Sequence, residues 1–147
     1  MITPEQISAL EAAAETWRGT PFCEGSPVQG AGVSCHHLPA ELYFDAGLLT
    51  RLPIPNGPSK WTGGQDRSLI VEWVEASGLF IEISGREFLP GDVLGFRLGH
   101  CIHHAALALG GGRIVHSVVG HGVSIEPSIP YAWEKRLEKI WRIKALS

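Results

Sequence analysis

The chain lacks the features that mark nucleic-acid-binding and membrane-spanning proteins. Its 147 residues include 12 Lys and Arg against 15 Asp and Glu, for a formal net charge of −3. No basic run with interleaved aromatic residues occurs, and no apolar run is long enough to cross a bilayer. We therefore expect neither a nucleic-acid partner nor insertion into a membrane.

Cysteine is scarce, and the N-terminus has little in common with a secretion signal. Three cysteines, an odd number, suit a reducing compartment better than a disulfide framework. Residues 1–6 contain neither the basic segment nor the apolar segment of a signal peptide. The expectation is a protein made in the cytoplasm, which another component would have to deliver to any target outside the cell.

The order of the predicted elements favours an α+β fold in one domain over residues 1–147. Three helices come first: one from the capping box at residues 3–6 to Gly19, one that begins at Cys35, and one over 68–77. Residues 51–67 are rich in Pro, Gly and polar side chains, which predicts a long surface loop. Six short strands follow, over residues 80–83, 93–98, 103–109, 113–118, 123–126 and 140–144. Helices followed by strands indicate helices packed on one sheet.

Cys35 stands at a position that can activate a thiol. It follows the glycine-containing residues 30–34 and precedes an apolar helical pattern that includes Leu38 and Leu42. Backbone N–H groups at a helix start lower the pKa of a thiol and can also bind a developing oxyanion. Pro39 cannot donate a hydrogen bond to the carbonyl of Cys35, so we expect a distorted first turn. Cys35 is therefore a candidate nucleophile beside half of an oxyanion hole.

A hairpin further along the chain supplies a candidate base and a residue to orient it. Two apolar strands flank residues 110–112, which are all glycine. If these three residues form the loop, Ala106 faces His116, and His104 is the diagonal neighbour of His116, with Cβ atoms about 7–8 Å apart. The adjacent His103 then points to the opposite face. The parity of the loop thus selects His104 as the base and His116 as its orienting residue.

Several motifs occur in the order and spacing of the NlpC-type papain-like cysteine peptidases. They are WRGTPF at residues 17–22, GVSC at 32–35, GDVL at 91–94, HAALALG at 104–110 and IVH at 114–116. The chain most resembles the short, phage-tail-associated branch of that family. The resemblance implies a papain-like fold in which N-terminal helices, one with the nucleophile at its N-terminus, pack on a C-terminal antiparallel sheet. It implies catalytic roles for Cys35, His104 and His116, with no metal or other cofactor.

The same resemblance implies a bacterial cell-wall (peptidoglycan) peptide as substrate, and phage-tail proteins as partners. Two departures from the family pattern concern the peptide-binding side of the cleft. The family usually has Asp-Cys-Ser-Gly at residues 34–37, which read SCHH here, and often has Tyr where this chain has Phe22. The usual γ-D-glutamyl to diamino-acid bond is therefore not assigned as the scissile bond. The candidate substrate-binding residues are Phe22, Ser34, His36, His37 and Trp61.

Two other functions stay open. A zinc site could draw on residues that are chemically competent as ligands, although no pair has the usual C-x₂₋₄-C or H-x₃₋₅-H spacing. These residues are Cys35, His36, His37, Cys101, His103, His104 and His116. The second alternative is a catalytically inactive structural module of a phage tail. Retention of Cys35, His104 and His116 weighs against it, because packing alone does not require that trio.

Overall fold

The computed structural model describes residues 1–54 and 68–146. The α-helices in these ranges are α1 (Pro4–Trp17), α2 (His37–Asp45), α3 (Leu69–Ser77) and α4 (Tyr131–Glu134). The strands are β1 (Pro27–Val28), β2 (Gly32–Val33), β3 (Phe80–Glu82), β4 (Val93–Leu98), β5 (Cys101–Ala108), β6 (Ile114–Val118), β7 (Gly122–Glu126) and β8 (Leu137–Ile143). Residues 110–112 and 144–146 add short 3₁₀ turns.

Six of these strands form one antiparallel sheet in the order β3-β8-β4-β5-β6-β7, while β1 and β2 pair separately. Helices α1 to α3 precede this sheet in the chain and pack on it. The predicted α+β fold class is confirmed. Within residues 1–54 and 68–146, no helix combines the length and the hydropathy needed to span a bilayer.

Proline determines where α2 begins. The N–H of Leu38 donates to the carbonyl of Ser34 at 3.2 Å, so a turn already forms around Cys35. Pro39 has no N–H to donate to the carbonyl of Cys35, and the next regular helical bonds start later. The helix therefore begins at His37, and Cys35 lies in the turn that leads into it, two residues before its first residue. The distortion predicted from Pro39 takes this form.

The register of the β5–β6 hairpin is the one that a three-glycine loop predicts. Leu107 pairs with Val115, and Ala108 pairs with Ile114. The N–H of Leu109 donates to the carbonyl of Arg113 at 2.8 Å across residues 110–112. Continued along the strands, this register places Ala106 opposite His116.

Other boundaries differ from the predicted ones because of irregular pairing. In the β4–β5 ladder, Phe96 pairs with His104 and Arg97 pairs with Ile102, which leaves His103 as the extra residue of a bulge. Strand β5 continues past this bulge and begins at Cys101. Strand β8 begins at 137, before the predicted residue 140, and the short elements β1, β2 and α4 were not predicted.

The sheet has a buried core on each face. Side chains of α1, α2 and α3, including Leu10, Leu38 and Val74, pack in the larger cluster. On the other face, Trp133 of α4 packs edge-on against Phe96 of β4, with ring centroids 5.6 Å apart. Helix α4 thereby brings an indole ring to the part of β5 that carries His104.

Candidate active site

One cleft of about 420 Å³ contains Cys35 and His104. This volume is in the range of small-molecule and peptide sites. Apolar side chains make up much of its lining: Phe22, Leu98, Val118, Val119 and Trp133. The nucleophile and the base predicted from the sequence thus lie in one apolar-walled cleft.

Cys35 lies with its Sγ against the backbone of β5. Sγ is 3.5 Å from the carbonyl oxygen of His103, and the N–H of Ala105 also donates to it. These two residues flank His104 in the strand. The Cys35 side chain is almost fully buried, with 8% of the residue exposed.

Burial raises the pKa of the Cys35 thiol to about 11. This corrects the expectation that the helix start lowers it. The N–H groups of Ala105, Cys35 and His36 do favour the thiolate, but removing the thiolate from water costs more than they contribute. The negative charge of Glu24 raises the pKa further. In the resting site Cys35 is therefore a neutral thiol.

His104 and His116 meet across the β5–β6 hairpin. Nε2 of His104 lies 3.0 Å from Nδ1 of His116, so the predicted sharing of one face is confirmed. Trp133 stacks on His104 with ring centroids 4.5 Å apart and planes inclined by 30°. Burial, and then the charge of His116, lowers the pKa of His104 to about 3. His104 is thus a neutral imidazole at pH 7.

Glu126 extends this pair, and the sequence-based hypothesis did not include it. Its Oε1 lies 3.7 Å from Nε2 of His116 and accepts a hydrogen bond from Oγ of Ser124 at 3.0 Å. His116 pairs with Ser124 in the β6–β7 ladder, so Glu126 is its diagonal neighbour on the same face. Extending the hairpin-parity argument to the next turn would have found it.

The carboxylate of Glu126 sets the direction of the hydrogen bonds between the two rings. Burial lowers the pKa of His116, and the charge of Glu126 and its hydrogen bond oppose this shift. A carboxylate beside Nε2 of His116 favours the tautomer with its proton on Nε2, so Nδ1 accepts the proton of His104 Nε2. His104 then keeps a lone pair on Nδ1, the atom available to take a proton.

The candidate substrate-binding residues fall into three groups. Phe22, Ser34 and His36 line the cleft that holds Cys35. His37 is buried and instead lines a separate surface cavity. Trp61 lies outside the described residues.

Ser34 orders the histidines that follow it. Its Oγ lies 2.6 Å from Nδ1 of His37 and 3.3 Å from Nδ1 of His36. It also accepts the N–H of His37 at 3.2 Å. Burial lowers the pKa of His37. These contacts place the ring of His36 at the cleft and hold that of His37 in the interior.

His103, which was expected to point away from His104, also lines the cleft, and its carbonyl oxygen accepts a hydrogen bond from Sγ of Cys35. Its ring Nε2 lies 3.2 Å from the Sγ of Cys101. Cys23 is exposed.

Nε2 of His104 and Nδ1 of His116 are occupied by the hydrogen bond between the two rings. Over residues 1–54 and 68–146, no three His, Cys, Asp or Glu side chains are grouped as metal ligands would be.

The fold and this site match a known family. The NlpC/P60 family matches residues 29–142, most of the chain, and the chain belongs to this family. The family predicted from the sequence motifs is thus confirmed, whereas the phage-tail branch stays a prediction.

Two solved structures share the fold. One is a crystal structure of a lipoprotein-like NLP/P60 family protein from Staphylococcus aureus, with a TM-score of 0.64 and 21% identity. The match covers 97% of this chain but only 42% of that protein, so this chain spans less than half of its length. The other is the NlpC/p60 domain of the peptidoglycan hydrolase SagA, with a TM-score of 0.56, 23% identity, and coverage of 91% and 96%. No curated protein sequence matches the chain significantly.

Proposed function

We propose that this protein is a cysteine hydrolase that cleaves amide bonds in the stem peptides of bacterial peptidoglycan. The observation that carries the proposal is the order of three side chains behind a buried thiol: His104 is hydrogen-bonded to His116, and the carboxylate of Glu126 lies 3.7 Å from His116. A nucleophile, a base and groups that orient the base are what covalent amide hydrolysis requires. Membership of the NlpC/P60 family and the peptidoglycan hydrolase SagA as a structural neighbour support the substrate class.

In the first step, Sγ of Cys35 attacks the substrate carbonyl carbon while its proton passes to Nδ1 of His104. The carbonyl oxygen becomes an oxyanion, and the backbone N–H of Cys35 donates to it. His104 becomes a cation, which is stabilised because its Nε2–H donates a hydrogen bond to Nδ1 of His116. Glu126 stabilises the charge that spreads onto His116.

In the second half, the imidazolium of His104 gives its proton to the leaving amine, and the C–N bond breaks. A thioester between the acyl group and Cys35 remains. Water then attacks the thioester with His104 as base, which releases a carboxylic acid and restores the thiol. Apolar side chains line much of the cleft and lower the polarity around these groups, so each of these charge interactions is stronger than it would be in solution.

The resting protonation states favour general-base activation over a preformed ion pair. Burial holds the pKa of Cys35 at about 11 and that of His104 at about 3, so both groups are neutral at pH 7. Proton transfer to His104 therefore accompanies the attack. Substrate binding has to supply part of the free energy of this charge separation.

Digestion of purified peptidoglycan tests the proposal. The wild-type protein is expected to release fragments whose masses show one new carboxylate and one new amine per cut. Cys35→Ala should lower the rate by about 10³-fold or more, because the nucleophile is lost. Cys23→Ser removes an exposed thiol and should cleave at the wild-type rate.

An undiminished rate in Cys35→Ala, or no cleavage by the folded wild-type protein, would contradict the proposal. The second outcome would favour an inactive structural module. Delivery of the protein by a phage tail is a prediction that rests on the motif resemblance alone.

A further inference from the structure

Glu24 lies in the catalytic cleft, and the proposed mechanism assigns no role to its carboxylate. Glu24 is half-buried and lines the same cleft as Cys35, and its Oε1 is inaccessible to solvent with no hydrogen-bond partner among the described residues. Buried carboxylate oxygens are nearly always paired, because an unpaired one loses its hydration without compensation. An unpaired oxygen at the wall of a cleft therefore indicates a group that a ligand completes.

A tight turn fixes the position of Glu24. The N–H of Ser26 donates to the carbonyl of Cys23 at 3.2 Å, which makes Glu24 and Gly25 the central residues of a β-turn. Gly25 has a φ of +71°, the left-handed conformation that a type II turn needs at this position. Glu24 thus projects from a defined turn.

This turn is bonded to the segment that carries the nucleophile. The N–H of Cys23 donates to the carbonyl of Val33 at 3.2 Å, and the N–H of Ser34 donates to the carbonyl of Ser26 at 3.0 Å. A Cβ at Gly32 would lie 2.5 Å from the Cβ of Cys23, so the two segments approach as closely as only glycine allows. Glu24 is therefore held in place relative to Cys35.

The surroundings of Glu24 lack a permanent counter-charge. No Lys or Arg is among the described residues that line the cleft, and much of the remaining lining is apolar. Burial raises the pKa of the Glu24 carboxyl, as expected for an acid without a cationic partner. A cationic hydrogen-bond donor is the ligand group that satisfies such a site.

We propose that Glu24 is a specificity residue that binds a protonated amine of the substrate beside Cys35. This inference rests on the proposed function in one respect: it takes the occupant of the cleft to be the hydrolysed peptide. The class of substrate is thereby narrowed to peptides that carry an ammonium group close to the scissile carbonyl. A charge-assisted hydrogen bond from that group completes the buried Oε1.

Binding of the amine also affects the nucleophile. The negative charge of Glu24 is one of the causes that keep Cys35 protonated. A bound ammonium group cancels this charge, which makes transfer of the thiol proton to His104 easier. Recognition of the substrate and activation of the thiol are coupled in this way.

The charge preference of Cys35 for small thiol reagents tests the proposal without any need for hydrolysis. The reagents are 2-aminoethyl methanethiosulfonate, which is cationic, and methyl methanethiosulfonate, which is neutral. The rate of modification at Cys35 is measured for each by peptide mass spectrometry, and the ratio of cationic to neutral rates is compared between variants. Using the ratio cancels any general change in the reactivity of the thiol.

Glu24→Gln is expected to lower this ratio about tenfold, the equivalent of one charge-assisted hydrogen bond. Glu24→Asp keeps the charge on a shorter side chain and should retain a higher ratio than Glu24→Gln. Glu5→Gln removes an equal charge from an exposed position in α1 and should leave the ratio unchanged.

A ratio in folded Glu24→Gln within about twofold of the wild-type value would overturn the proposal, since an ammonium contact would then contribute less than about 0.4 kcal/mol. The result is independent of peptidoglycan cleavage. A protein that cleaves no peptidoglycan would refute the proposed function while the ratio still decided the role of Glu24.

Discussion

Nε2 of His104 lies 3.0 Å from Nδ1 of His116, and the two buried rings therefore share a single proton between those atoms. Two imidazolium rings at this distance would repel each other strongly. The charge of His116 accordingly adds to burial in lowering the pKa of His104. In the proposed mechanism only one ring of the pair carries a positive charge, and the carboxylate of Glu126, 3.7 Å from Nε2 of His116, stabilises that charge.

Replacing His116 should separate the loss of its hydrogen bond from the loss of its bulk. His116→Ala removes the acceptor for His104 Nε2, and kcat should fall by about 10²-fold with little change in KM. His116→Asn retains an acceptor oxygen and should keep more of the activity. Steady-state kinetics on one peptide substrate measure both. Equal activity in His116→Ala and the wild type would remove His116 from the mechanism.

Glu126→Gln should reduce kcat several-fold and leave KM nearly unchanged, because Gln cannot stabilise the charge on His116. The pKa of His116 should fall, since the charge of Glu126 and its hydrogen bond raise it. Imidazole NMR shifts of His116 between pH 4 and 8 measure this directly. Glu138→Gln, which removes an exposed partner of Arg97, is the matched control. An unchanged titration of His116 would show that Glu126 does not orient it.

The positions of these residues were predictable to different extents. The three glycines at 110–112 determine the loop parity, so the contact between His104 and His116 follows from local turn geometry. The position of Glu126 beside His116 follows from the same pairing rule applied to the turn between β6 and β7. Trp133 does not, because its stacking on His104 depends on how α4 returns to the sheet after Pro130.

The pKa of Cys35 shows a related division between local and non-local causes. The N–H groups at the start of α2 belong to the local chain and were expected. The burial that outweighs them comes from β5 and from the cleft walls, which are distant in the chain. The unpaired oxygen of Glu24 likewise exists only once the turn at 23–26 packs beside residues 32–34.

The neutral resting thiol predicts a particular pH dependence of alkylation. With a pKa of about 11, Cys35 should react with iodoacetamide more slowly than exposed Cys23 at pH 7. Its rate should rise about tenfold per pH unit from 7 to 10, because the thiolate is the reactive species. Peptide mass spectrometry resolves the two sites. A fast, pH-independent reaction of Cys35 near neutrality would indicate a preformed thiolate–imidazolium pair.

Buried neutral His104 should also make the protein less stable as the pH falls. Its pKa drops from 6.5 in the unfolded chain to about 3 in the folded protein, so only the unfolded state takes up this proton between those values. Above about pH 6.5 neither state binds this proton and the free energy of unfolding is unaffected, whereas toward pH 3 that free energy falls progressively. At pH 5 the loss is about 2 kcal/mol.

Urea unfolding at pH 7 and pH 5 measures this loss. His104→Gln should lose less of its free energy of unfolding than the wild type over this range. His121→Gln, at an exposed position, should behave as the wild type. The same loss in all three proteins would contradict the buried neutral state of His104.

Detection of an acyl-enzyme shows whether Cys35 is the nucleophile. Wild-type protein mixed with a peptidoglycan stem peptide is quenched with acid within the first turnovers, and its mass is measured intact and after digestion. The expected result is an added mass equal to the acyl half of the peptide, on the fragment that contains Cys35, and no such adduct in Cys35→Ala. Cleavage that continues in Cys35→Ala, or an adduct on Cys23 or Cys101 instead, would contradict it.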